Sequence, residues 1–129
     1  MQIGELARIV GTTTNTLRFY EAQSLLAEAD RTSAGYRDYP GEAINRVDFI
    51  RRAKSAGLTL AQIREILQIR DRGQAPCDHV RDVLDARLAD LDAQIGQILA
   101  LRDTLIGLRN QAADPEPATC APDQICRYL

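Results

Sequence analysis

The sequence predicts a mainly α chain: short helices and a small two-stranded wing over residues 1–72, one long helix over 76–112, and a cysteine-bearing loop over 113–129. Three observations carry this. Apolar residues recur at helical spacing in short runs punctuated by glycine and turn residues. A seven-residue apolar repeat then runs through one long segment, and two prolines close it. At 129 residues the chain suits one compact domain plus an appendage, since domains cluster near about 100–150 residues and shorter chains bury proportionally less surface.

The first helix is marked by Ile3, Leu6, Ala7 and Val10 and stops at Gly11. Thr12 to Thr14 can cap a second helix running through Tyr20 and Glu21, so two short helices are joined by a tight turn. Residues 23–40 hold Ser24, Asp30, Ser33, Gly35 and Pro40 around short apolar pieces. That composition suits a two-stranded wing, with Gly35 as its turn. From Glu42, the series Ile44, Val47, Ile50 and then Leu58, Leu60, Ile63, Ile66, Leu67 predicts two more amphipathic helices, broken near Gly57. Pro76 marks the boundary before the last helix.

In residues 77–110, Leu84, Leu91, Ile98 and Leu105 stand seven apart, and Leu88 and Ile95 fill the intervening seam positions, a coiled-coil pattern. The helix could pack on its own domain, but that domain is small and already has four helices, so pairing between copies is expected. One heptad back from Leu84 lies Cys77, which places the first thiol at the helix start on the partner-facing side. After Asn110 the periodicity fails, and Pro115 and Pro117 remove backbone donors and fix φ.

Charge and cysteine usage narrow the class. Residues 1–72 carry 11 Lys/Arg against 9 Asp/Glu, and residues 73–129 carry 5 against 9. The positive half is only mildly basic, so the placement of its arginines matters more than their sum. The sequence holds no apolar run of membrane-spanning length and no basic region followed by an apolar run at its start, so no membrane association and a cytoplasmic location are expected. Cys77, Cys120 and Cys126 are an odd set in such a chain, which argues against a disulfide framework and leaves free thiols or metal ligands. A thiol enzyme has little support, because the one histidine, His79, is two residues from Cys77 and no orienting dyad is evident.

Four motifs stand in order: Ile3-Gly4-Glu5-Leu6-Ala7, Thr16-Leu17-Arg18-Phe19-Tyr20-Glu21, Gly35-Tyr36-Arg37-Asp38-Tyr39 and Leu58-Thr59-Leu60-Ala61-Gln62-Ile63. With the long helix and short cysteine loop after them, the chain resembles the mercury-resistance regulator (MerR) family over essentially its full length. The resemblance implies a winged helix-turn-helix DNA-binding domain, a long antiparallel coiled-coil dimerisation helix and a C-terminal metal-binding loop. It also implies a homodimeric activator in the cytoplasm, seated on double-stranded promoter DNA and distorting an overlong spacer for RNA polymerase.

The residues agree with this reading. A helix-turn-helix offers its second helix to the major groove. Arg18 and Tyr20 on that helix, with Arg31, Tyr36 and Arg37 of the wing, supply donors suited to phosphate oxygens, and Thr13 and Asn15 are better placed for base edges. Against this, Arg18 or Arg37 could pair with Glu21 or Asp38, and Tyr36 could be core.

In the antiparallel pairing that the resemblance implies, Cys77 of one copy faces Cys120 and Cys126 of the other. Three thiolates favour soft ions over Mg(II) or Ca(II). The family's copper and gold sensors usually carry serine where this chain has Cys77, so Cys77 implies a divalent effector: Cd(II), Pb(II), Hg(II) or Zn(II). The chain departs from the divalent sensors in its loop. Ala112 or Ala113 stands where the first loop cysteine is usual, and Cys120 and Cys126 are closer together than in the mercury sensors. Asp123 or His79 would complete a four-coordinate shell, although two positions along a helix do not put His79 on the face of Cys77. A redox or thiol-stress regulator on the same scaffold is the alternative; an iron–sulfur centre normally needs four cysteines.

Overall fold

The computed structural model describes residues 1–129. Five helices and one hairpin follow in the order α1 (Ile3–Val10), α2 (Thr14–Ala22), β1 (Asp30–Arg31), β2 (Arg37–Asp38), α3 (Glu42–Ser55), α4 (Leu60–Asp71) and α5 (Cys77–Gln111). The chain forms two compact units, Met1–Arg87 and Leu88–Leu129.

In the first unit the helix ends are set by local chemistry. Gly11 adopts a left-handed φ of 71° and returns its N–H to Ala7 and Arg8 carbonyls, ending α1. Thr13 then caps α2 by accepting from the Thr16 N–H at 3.2 Å. The α4 start is a full capping box: Gln62 N–H donates to Thr59 Oγ1 at 3.1 Å, and the Thr59 N–H donates to Gln62 Oε1 at 2.9 Å. Gly57, at φ 85°, ends the turn after α3, and the Arg87 guanidinium of α5 lies where a Cβ at that position would go, with Nε donating to the Ala56 carbonyl at 3.3 Å.

The core is built from Leu6, Leu17, Val47, Ile50 and Ile63, all fully buried, and Val83 from the second turn of α5 joins it. The wing is shorter than its composition suggests. Ser24, with φ 60°, turns the chain so that Leu25 and Leu26 enter the core, leaving strands of two residues each. Two arginines fasten that turn. Arg46 Nε donates to the Leu25 carbonyl at 2.7 Å, and its other nitrogens grip Asp71 at 2.7 and 3.0 Å. Arg64 donates twice to the Gln23 carbonyl, at 3.0 and 2.8 Å.

The second unit has no buried residue. The helix stripe Leu88, Leu91, Ile95, Ile98 and Leu105 is 36–65% exposed. Past Gln111 the chain closes on itself: a single 3-10 turn spans Pro117–Thr119, the Tyr128 hydroxyl accepts from the Glu116 N–H at 3.3 Å, and Arg127 donates to Thr119 Oγ1 while stacking over the Tyr128 ring at 5.3 Å. No helix is long and apolar enough to cross a membrane.

Candidate nucleic-acid interface and thiol loop

The wing's ladder pairs like with like: Asp30 stands opposite Asp38, and Arg31 opposite Arg37. Because successive strand residues point to opposite faces, the arginines share one face and the aspartates the other. Directly opposed like charges destabilise a ladder, so the arginine face is a place where an anion offsets a built-in repulsion. Space for it exists. An open depression of about 190 Å³ is walled by Arg18 of α2 and by Arg31, Tyr36 and Arg37 of the wing, with Gln2 and Ile3 at its edge.

Within this depression the arginines are held but not spent. Arg18 donates to Asn15 Oδ1 at 3.3 Å, and Arg31 donates to the Gly35 carbonyl at 2.8 Å. Each guanidinium carries five N–H donors, so most remain for an incoming oxygen. Tyr36 is 62% exposed, which excludes a core role for it. Arg37 lies with Nε 3.7 Å from Glu21 Oε2, a charge contact longer than a hydrogen bond, and that Nε has no hydrogen-bond partner. Glu21 also accepts from the Tyr39 hydroxyl. Burial, then this carboxylate, push the Tyr39 phenol above its ordinary value.

Thr13 and Asn15 are exposed at the start of α2, although the Thr13 hydroxyl is partly engaged, sharing a 2.9 Å hydrogen bond with Thr16 Oγ1. Tyr20 requires a correction. It is only 3% exposed and belongs to the core; burial raises its phenol pKa, partly opposed by Arg51. Its place on the inward face of α2, beside buried Leu17, explains why it packs rather than grips phosphate. Glu21 is the residue that sequence reasoning undervalued. It was visible there only as one of several carboxylates able to neutralise an arginine, because the pairing joins residues from two elements.

Cys77 is the first residue of α5 and is exposed. His79, two residues on, turns its Nε2 towards Glu65 of α4 at 3.4 Å. In the terminal loop Cys120 is half-buried, its N–H donating to the Pro117 carbonyl at 3.2 Å, while Cys126 and Asp123 are exposed. Within one chain, no three His, Cys, Asp or Glu side chains gather in a way that could hold a metal ion.

A profile described as MerR HTH family regulatory protein matches residues 1–69, and one described as MerR, DNA binding matches residues 44–108. The chain is 31% identical to an HTH-type transcriptional regulator ZntR homolog of Haemophilus influenzae, over 91% of this chain and 88% of that one. It is 32% identical to the mercuric resistance operon regulatory protein of Bacillus cereus, over 88% of this chain and 86% of that one. Among solved structures it resembles a transcription regulator from Ralstonia metallidurans in complex with lead(II), with a TM-score of 0.78 and 33% identity over 93% and 94% of the two chains.

Proposed function

The chain belongs to the MerR family of helix-turn-helix regulatory proteins, and from that premise we propose that it is a cytoplasmic transcriptional activator whose effector is a soft divalent metal ion. The ion is Cd(II), Pb(II), Hg(II) or Zn(II), and its ligands are cysteine thiolates contributed by two copies of the chain. One observation carries the reading. Cys77 opens α5 at the heptad position shared by Leu84, Leu91, Ile98 and Leu105, a stripe whose exposed side chains call for a second copy.

In the antiparallel pairing implied by the family, that stripe brings Cys77 of one copy to the loop of the other, where Cys120 and Cys126 supply two further thiols. Their chemistry fits a thiophilic ion, and a set divided between copies accounts for the lack of three ligands within one chain. Asp123 is an oxygen donor for a fourth position, whereas His79 turns its Nε2 towards Glu65 of α4. The relatives named for mercuric resistance or crystallised with lead(II) support the same class of ion.

On DNA, Thr13 and Asn15 at the start of α2 meet base edges, while Arg18, Arg31, Tyr36 and Arg37 hold phosphate oxygens and fix register. An ion bound between the copies favours one of two dimer geometries through its differential affinity for them, and the altered dimer realigns promoter DNA for RNA polymerase. Exposure of Cys77 and Cys126 favours one second reading, a thiol-stress regulator in which the same cysteines oxidise.

Anaerobic titration with Cd(II) separates the two. The metal reading expects a stoichiometric thiolate-to-metal absorption band, and a reporter induced by metal in the parent but not in Cys77→Ser, with operator binding retained. A response to oxidant without any such band establishes the thiol-stress reading instead.

A further inference from the structure

We propose that Glu21 is a positioning residue of the nucleic-acid interface: it clamps the wing to α2 and holds back the charge of Arg37, so that the wing registers on DNA instead of adding indiscriminate attraction. Three observations meet at this one carboxylate. Its side chain is 9% exposed, so its charge is poorly screened by water. One oxygen accepts from the Tyr39 hydroxyl, at the point where the chain leaves β2. The other stands 3.7 Å from Arg37 Nε, a nitrogen shielded from solvent with no hydrogen-bond partner of its own.

The three arginines of the depression are therefore unequal. Arg18 and Arg31 are held by neutral oxygens, from Asn15 and Gly35, and keep their full charge for a phosphate. Arg37 alone faces a carboxylate. Glu21 also eases the Arg31–Arg37 repulsion across the ladder, which lets the hairpin keep its register before DNA arrives.

The inference rests on the reading that this depression takes a DNA phosphate, and the experiment keeps the two apart. Affinity for a duplex of random sequence is measured across a salt series, where each phosphate contact contributes about 0.9 to the slope of log K against log salt. If the depression takes phosphate, Arg31→Ala flattens that slope by about one contact per copy, about 1.8 for the dimer; no change there overturns the phosphate reading itself.

Given that result, Arg37→Ala in the parent should flatten the slope by clearly less than Arg31→Ala. Glu21→Gln, which keeps an acceptor for Tyr39 and loses the charge, should steepen the slope by about 0.9 per copy, about 1.8 per dimer, and tighten random-duplex binding several-fold. That gain should vanish in Glu21→Gln/Arg37→Ala. Equal losses from Arg37→Ala and Arg31→Ala overturn the role of Glu21, even if Glu21→Gln does not fold. An unchanged or shallower slope in a folded Glu21→Gln does so as well.

Discussion

The two units of this chain solve the burial problem in opposite ways. Met1–Arg87 wraps four short helices and the first turns of α5 around fully buried Leu6, Leu17, Val47, Ile50 and Ile63. Leu88–Leu129 contains as regular a helix and buries nothing, with Ile95 54% and Ile98 65% exposed. A helix is stable in water mainly through the face it packs. The first unit is thus closed within one chain, while the second leaves its helix face unpacked, the face that the proposed pairing of two copies covers. The thiols follow the same division: Cys77 lies at the end of the complete unit and Cys120 and Cys126 in the other, so the proposed metal site and the missing packing call for the same second copy.

The largest effect expected from this contrast is in the first unit. Leu17→Ala should cost about 3 kcal/mol, a transfer and cavity penalty, and the loss measured by urea unfolding should not depend on protein concentration. A loss below about 1 kcal/mol, too small for a core leucine, would break the comparison by showing that Leu17 is not in a closed core.

Ile95→Ala should act on association instead. Each dimer loses two side chains worth about 1.5 kcal/mol apiece, which weakens dimerisation about 100-fold with little change in unfolding of the first unit. Analytical ultracentrifugation reads this directly, and an unaltered monomer–dimer equilibrium would place the seam elsewhere.

The smallest effect is electrostatic and confined to the first unit. The Arg46 fork holds the Asp71 carboxyl below its ordinary value. A depressed folded pKa contributes stability above the unfolded value of 3.8, and this is lost as pH falls through the folded one. Asp71 is 53% exposed, so the contribution is about 0.5 kcal/mol. Asp71→Asn should be less stable than the parent by about that amount at pH 7 and indistinguishable below about pH 3. A constant difference down to acid pH would mean that the charge is not what matters.

What the sequence revealed follows the range of the interactions involved. Caps, breaks and periodicity are local, so Gly11, Thr13, Gly57, Pro76 and the α5 heptads were legible. The hairpin's location was legible too, through Gly35, but not its brevity, because Leu25 and Leu26 turn inward to a core assembled by distant helices. Tyr20 was misread for the same reason: its polar tip suggested phosphate, while its helical phase beside Leu17 decided for packing. Glu21 needed the folded chain, since its partners Arg37 and Tyr39 belong to the hairpin and the residue just after it.

The central claim, that two copies share the thiols of one metal site, is tested most directly by mixing variants that are each defective alone. Cys77→Ser dimers and Cys120→Ser/Cys126→Ser dimers should each lack the thiolate-to-Cd(II) band. A purified mixed dimer brings the intact Cys77 of one copy together with the intact loop of the other. The account predicts one Cd(II) per mixed dimer at the parent's affinity, and a mixed dimer that binds none would contradict it.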